Sequence, residues 1–319
     1  MLRSVWQGGK ALALLPSSGP GGGRQFRLGL VGLGQMGMLH WQTWQRFANA
    51  SVVAVVDTDP AKAQWARAQG VPFFHQSADL PGHLDAVIIA SPVGQHASCA
   101  LPLLTAGIHC LIEKPIALSL CDAQQLLTVA NRHGALLTVG HSERFNPALQ
   151  QLRDAVASPP RFSLEVFRMA APTTRRDPLA DVVQDLMVHD LDWMLDLMGQ
   201  MPCHLRVQDA RWVNGSLACV SCELSFAPDV TVVLTSSYMA TTRRREVILR
   251  GANGATQSIC LDSAITGTAD DPLTGQARAF LAALQGKPSA IATGDQALGV
   301  LTLVEQIRAQ CTASHAIAH

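Results

Sequence analysis

From Phe26 onward, short apolar runs alternate with longer stretches of helical period. Arg27–Val31, Ser51–Val56, Ala86–Ala90, His109–Ile112 and Leu136–Val139 read as strands. VIIA and VVAVV are continuous rather than alternating, as strands buried on both faces should be. Segments near 35–48, 60–69, 94–107 and 119–133 read as the helices between them. Strands and helices taking turns predict an α/β fold built on a parallel sheet.

The texture changes after about Pro147. A helix near Val182–Met198 is followed by strands near 204–211, 216–226, 230–238, 244–250 and 256–261. Asn214-Gly215, Pro228-Asp229 and Asn253-Gly254 supply short turns between them, which predicts an antiparallel sheet. Helices near 273–285 and 294–311 complete the pattern. The predicted organisation is an α/β domain over 24–146 and an α+β domain over 147–319. Residues 1–23 hold Arg3 and Lys10, no acid, a short apolar run and then a Pro, Ser and Gly-rich loop. They read as a disordered extension rather than a leader.

Composition narrows the partners. The 319 residues suffice for two cores, and 48% hydrophobic with 15% charged residues suits a packed globule. With 24 basic and 24 acidic residues there is no basic excess to hold a nucleic acid. No apolar run approaches the roughly 18–20 residues that span a bilayer, so a membrane is not expected and the cytoplasm is the default location. Of eight cysteines, Cys219 and Cys222 have CxxC spacing but lie in the alternating stretch SLACVSCELSF. Residues three apart on a strand face opposite ways, so buried thiols are expected there rather than a zinc or redox site.

The chemistry begins at Gly32-Leu-Gly34-Gln35-Met36-Gly37, a GxGxxG that follows the strand LGLV and opens a helix. Gly32 would make the tight turn, Gly34 would admit a pyrophosphate, and Gly37 would let helix and strand pack closely. The phosphates would sit on the positive helix end. Twenty residues on, Asp57 ends the next strand, where an acid receives the adenosine ribose hydroxyls. A carboxylate there repels a 2′-phosphate, so NAD is preferred over NADP. The domain is therefore expected to be a Rossmann dinucleotide-binding domain.

Glu113-Lys114-Pro115 follows a strand at its carboxyl end, where open α/β sheets bind ligands. In DVVQDLMVHDLDWML, Asp181, Asp185 and His189 recur every four residues and Asp192 follows three later, a polar stripe on an apolar helix. Such a stripe is costly unless it lines a cavity. A histidine titrating near neutrality can take the proton of an alcohol while hydride leaves its carbon, and Lys114 can stabilise the alkoxide. Asp185 can orient His189 or bind a hydroxyl. No further ligand completes a metal site with Asp185 and His189, so no metal is expected.

Together these residues resemble the Gfo/Idh/MocA oxidoreductases, in order from Phe26 to about Ile307. The resemblance rests on GLGQMG, the Asp57 strand end, Ser91-Pro92 with His96, Glu113-Lys114-Pro115, Asp185-xxx-His189 and RRREVILRGANG. It implies a second domain with a large open, mostly antiparallel sheet, often used for homodimer or homotetramer contacts. It also implies Lys114, Asp185 and His189 as the catalytic group, and Ser91, Pro92, His96 and Glu113 beside the dinucleotide. Val139–Pro147 and Asp185–Asp192 resemble the branch acting on UDP-N-acetylglucosamine-type sugars, which implies a sugar or nucleotide-sugar substrate. Arg144 and Asn146 would then face substrate. Arg144 could instead form a structural salt bridge with Glu143 or another acid. Arg175 and Arg176, in the loop before the helix, would contact a diphosphate. The same scaffold also serves dehydrogenases and reductases of non-sugar molecules, and non-catalytic dinucleotide-binding regulators.

Overall fold

The computed structural model describes residues 24–156, 161–171, 180–227, 230–262 and 271–317. The predicted extension 1–23, the turn Pro228-Asp229 and the arginine loop with Arg175 and Arg176 lie outside the described residues. The described residues fall into two compact units: 24–142 with Leu273–Leu298, and those of Glu143–Pro272 with 299–317.

In the first unit, six parallel strands follow one another in the order β3–β2–β1–β4–β5–β6, the doubly wound arrangement. They are β1 (Phe26–Val31), β2 (Ala50–Val56), β3 (Phe73–Phe74), β4 (Ala86–Ile89), β5 (His109–Glu113) and β6 (Leu137–Gly140). Helices α1 (Gln35–Trp44), α2 (Lys62–Ala68), α3 (His96–Thr105) and α4 (Leu120–His133) connect them. Leu28, Leu30, Ile88, Ile89, Leu111 and Ile112 are buried completely or nearly so, as the unbroken apolar runs require. Chain order reverses between β1 and β4, so the loops after these two strands flank one crevice. Local signals set the ends of α4. Ser119 accepts from the Asp122 amide at its start, and Gly134 takes a left-handed φ of 66° at its end.

A boundary at 146 with everything later in the second domain does not describe the chain. Helix α7 (Pro272–Leu284) and strand β13 (Ala292–Thr293) return to the first unit, apart from the terminal Pro272. Strand β13 pairs antiparallel with β6, Ala292 opposite Val139. Phe280, fully buried, meets Trp44 with ring centroids 6.4 Å apart. Ala277, Leu281 and Leu284 are buried with it and make up the apolar face of α7.

The second unit holds a six-stranded sheet in the order β12–β11–β7–β10–β9–β8. Its strands are β7 (Phe162–Met169), β8 (His204–Val213), β9 (Ser216–Ala227), β10 (Val230–Ser237), β11 (Arg244–Gly251) and β12 (Thr256–Cys260). Strand β7 and helix α5 (Pro147–Val156) were not expected from the apolar pattern. Strand β7 is central and runs parallel to β10, while its other neighbour β11 is antiparallel, so the sheet is mostly antiparallel as expected. Its inward positions are Leu164, Val166 and Arg168, and the arginine breaks the apolar alternation. The expected helix exists as α6 (Val188–Met198), preceded by a wider turn at Val183–Met187 with π-helical bonding. Helix α8 (Gly294–Ile317) closes the chain.

Candidate active site

The glycine loop is made by steric exclusion. A Cβ on Gly32, at φ 89°, would lie 2.6 Å from the Ala90 carbonyl oxygen, and one on Gly37 would lie 1.8 Å from the Gly32 oxygen. A Cβ on Gly34 would meet nothing within 4 Å, so its surface is open to a ligand. Gly34 precedes α1, whose first turn, at Gln35, Met36 and Gly37, contains no acid and receives no side-chain cap. Its backbone donors and the positive helix end are left for an anion.

Asp57 serves the same loop. Its Oδ2 accepts from the Leu33 amide at 2.7 Å and its Oδ1 from the Asp59 amide at 2.9 Å. Asp57, Gly32, Thr58, Ser91, Pro92 and Cys99 are among the residues lining a cleft of about 350 Å³, and no lysine or arginine is among its lining residues. A dinucleotide fits these features: open backbone at Gly34, free donors on α1, and a carboxylate beside an adenosine-sized cleft.

Two predicted cofactor contacts turn inward instead. His96 is 1% exposed, with Nδ1 2.9 Å from the Pro115 oxygen and Nε2 3.0 Å from the Ser91 oxygen. Burial pulls its pKa below the usual histidine value, against the pull of those carbonyls. It therefore ties the loop after β4 to the turn after β5 and has no ring nitrogen left for a ligand. Glu113 is likewise buried. Its Oε1 lies 2.8 Å from His40 Nε2, and its Oε2 accepts from the Lys114 amide at 3.3 Å. Lys114 itself begins the turn, and its peptide bond to Pro115 is cis.

In the second unit, Asp185 and His189 are both half-buried, and Asp185 lies in the π-helical turn. Tyr238, the only tyrosine in the chain, donates its hydroxyl to Asp185 Oδ2 in a short hydrogen bond. Sequence reasoning missed this residue. The one available signal is a lone tyrosine just past the end of β10, which acquires meaning only once β10 lies beside the π turn. The rest of the polar stripe does not line a cavity. Asp181 caps the helix through the Val183 and Gln184 amides and takes Arg308 Nε at 2.7 Å.

Asp192 is fully buried against Arg144, whose Nε and Nη2 both donate to it at 2.7 Å. Arg144 Nη1 reaches Asp196 at 3.2 Å. Of the two readings left open for Arg144, the structure therefore gives the salt bridge, with Asp192 and Asp196 as the acids rather than Glu143. Asn146 is also internal: its amide donates to Glu143 Oε1 and to the Leu261 carbonyl, and its oxygen accepts from Ala148. Both residues were expected to face substrate; Arg144 is instead bound to two acids of α6, and Asn146 holds the start of α5. Glu143 pairs with Arg168 and Arg245, and Arg168 grips Asp190 bidentately at 2.6 and 2.7 Å. Burial pushes the Glu143 pKa up, but the two arginines and Asn146 outweigh it and hold the carboxyl below its usual range.

Among the described residues, no three His, Cys, Asp or Glu side chains gather as metal ligands, and no helix is long and apolar enough to cross a membrane. Cys222 is buried in β9 and Cys219 half-buried, on a strand of alternating burial.

Residues 26–141 match the model of the Gfo/Idh/MocA oxidoreductase family, described as an NAD-binding Rossmann fold. The chain carries a domain of the Gfo/Idh/MocA family. The UDP-N-acetylglucosamine 3-dehydrogenase of Acidithiobacillus ferrooxidans is 37% identical over 181 residues, an alignment spanning 56% of this chain and 56% of that protein's own length. Its solved structure superposes over 91% of this chain and 98% of that one, with a TM-score of 0.77 and 27% identity. An inositol 2-dehydrogenase of Rhizobium meliloti is 29% identical over 67% of this chain and 69% of its own. The WlbA dehydrogenase of Bordetella pertussis, solved with NADH and UDP-GlcNAcA, shares the fold at 18% identity and TM-score 0.78, over 91% of this chain and 96% of its own. Together with the mostly antiparallel second sheet, these findings give the family's two-part α/β fold.

Proposed function

We propose that the protein is an NAD-dependent dehydrogenase that oxidises a hydroxyl-bearing carbon of a sugar or nucleotide sugar. The observation that supports this best is the open glycine loop with Asp57 in the first unit; in the second, Asp185 on the π turn and His189 in the first turn of α6 are half-buried, one turn apart. Bound NAD supplies the hydride acceptor. His189 takes the hydroxyl proton, and the Lys114 ammonium stabilises the developing alkoxide. Tyr238 holds Asp185 in place to orient His189 or to bind a neighbouring hydroxyl. Likeness to the UDP-N-acetylglucosamine 3-dehydrogenase favours a nucleotide sugar. Likeness to the inositol dehydrogenase makes a polyol the second reading. A homodimer or homotetramer in the cytoplasm completes the proposal, and eight free thiols suit a reducing compartment.

The test follows NADH absorbance with purified protein, NAD and a panel of UDP-sugars, free sugars and inositols. Lys114→Ala and His189→Ala run beside it, and each is expected to lower kcat by about a hundredfold or more. NAD is expected to give the higher kcat/KM than NADP, because Asp57 repels a 2′-phosphate. Full activity in either variant would remove that residue from the chemistry. Dinucleotide binding with no turnover on any panel member would favour a regulator instead.

A further inference from the structure

Beneath Lys114 lies a buried pair that the proposed chemistry does not use. His40, on α1, is 1% exposed, and its Nε2 is 2.8 Å from Glu113 Oε1. Its other ring nitrogen, Nδ1, is buried without a hydrogen-bond partner. Facing a carboxylate oxygen, which can only accept, Nε2 carries the shared hydrogen: the ring donates to Glu113, and Nδ1 is left without a partner. In that state the carboxylate keeps its full negative charge, directly before the Lys114 ammonium in the chain.

The surroundings are built for this arrangement. Gly140 stands opposite Glu113 across β5 and β6, and a Cβ there would lie 2.7 Å from Glu113 Oε1. Only glycine lets the carboxylate fold back onto His40. The second carboxylate oxygen receives the Lys114 amide. On the far side of the turn, His96 is 2.9 Å from the Pro115 oxygen. Burial alone would raise the Glu113 pKa. The His40 hydrogen bond, with the Lys114 ammonium next in the chain, outweighs it and keeps the carboxyl below its usual range.

We propose that His40 is a positioning residue: through Glu113 and the space left by Gly140, it fixes the Lys114 turn and holds a permanent negative charge beside that lysine. The unpartnered Nδ1 ends the hydrogen-bond chain, so the pair holds a charge in place and passes no proton onward. Calling this a catalytic device rests on the dehydrogenase reading above, whereas the positioning itself does not.

The experiment therefore has two arms, on wild type, His40→Leu and His40→Gln. Leu removes the donor, and Gln restores a neutral N–H near the place of Nε2. The first arm needs no turnover. The chain has four lysines, Lys10, Lys62, Lys114 and Lys287, so reductive methylation with a carbon-13 label gives a simple spectrum. The Lys114 signal is the one lost in Lys114→Arg. In His40→Leu it is expected to move, and in His40→Gln to return close to wild type. An unmoved Lys114 signal in a folded His40→Leu protein overturns the proposal.

The second arm reads kcat and its pH profile with the best substrate. His40→Leu is expected to lower kcat roughly tenfold to a hundredfold, as a misplaced catalytic group does, with NADH affinity within about twofold of wild type. The acid limb should shift to higher pH, because Glu113 loses the bond that stabilises its charge. His40→Gln should recover most of both. If kcat, NADH affinity and thermal stability fall together and Gln restores none of them, His40 is only a packing residue and the proposal fails. A moved Lys114 signal in a protein that oxidises nothing on the panel upholds the positioning and counts against the dehydrogenase reading. Wild-type turnover with an unmoved signal does the reverse.

Discussion

The glycine loop after β1 and the charge network around β7 are both internally exact pieces of structure, made from opposite materials. The loop is defined by atoms that are missing: Gly32 and Gly37 have no room for a Cβ, and Gly34 leaves a surface open. The network is defined by side chains far apart in sequence. Glu143, Arg168, Asp190 and Arg245 are brought together only when β7 lies beside β11 and close to α6. A site made of backbone is set by neighbours in the chain and can be read from spacing. A site made of long-range pairs depends on the fold and reads, residue by residue, as ordinary surface charge.

The largest effect expected from this contrast is within the loop itself. Gly37→Ala places a methyl 1.8 Å from the Gly32 oxygen, so helix and strand must separate. A loss on the order of 4–5 kcal/mol is expected, with the first unit melting early and NADH binding abolished. Gly34→Ala is its counterpart. The methyl meets no protein atom, so the melting temperature should stay at the wild-type value while NADH affinity falls about tenfold, some 1.4 kcal/mol. Calorimetry and NADH fluorescence titration measure both. Equal melting temperatures for the two variants would show that the loop tolerates what its geometry forbids.

The same contrast explains what could be read in advance. Five of the six parallel strands and the tight glycine turn follow from local rules, and the structure carries them; the two-residue β3 was not read. Strand β7 was invisible because its third inward position is Arg168, whose burial is compensated by Asp190 and Glu143. Arg144 and Asn146 read as substrate contacts because buried pairing with Asp192 and Leu261 cannot be seen at sequence separations of 48 and 115. His96 and Glu113 stand in motif positions, yet their polar atoms support the turn from beneath. Motif spacing identifies which loop matters and does not say which way each side chain faces.

A second, smaller effect tests the network. Arg168→Ala leaves the Asp190 and Glu143 carboxylates buried with less compensation, at an expected cost of about 3–5 kcal/mol in chemical denaturation. Arg168→Met with Asp190→Asn removes charge from both sides while keeping an acceptor for Trp193 Nε1, which donates to Asp190 at 2.9 Å. The double variant should be more stable than Arg168→Ala alone. If it is equally unstable, the cost lies in lost packing around the guanidinium rather than in unpaired charge.

The smallest expected effect is a pH slope, and it bears on both regions at once. Glu113 in the first unit and Glu143 in the second are each held below the usual glutamate value of about 4.3, one chiefly by the His40 hydrogen bond and the other by arginines. A carboxyl whose pKa is depressed by folding binds fewer protons folded than unfolded, so stability rises with pH across the interval between the two values. Each contribution is full above about pH 4.3 and is lost as pH falls through the folded value. Urea denaturation between pH 3 and pH 6 should therefore show stability falling toward the acid end, more gently in Glu143→Gln and in Glu113→Gln than in wild type. The arginines of Glu143 remain charged throughout, so its share follows its own protonation alone. The Glu113 share also depends on His40, and His40→Leu should flatten the slope as Glu113→Gln does. If Glu143→Gln flattens the slope and His40→Leu leaves it unchanged, the depressed pKa of Glu113 comes from Lys114 and His96, and the part given to the His40 hydrogen bond is wrong.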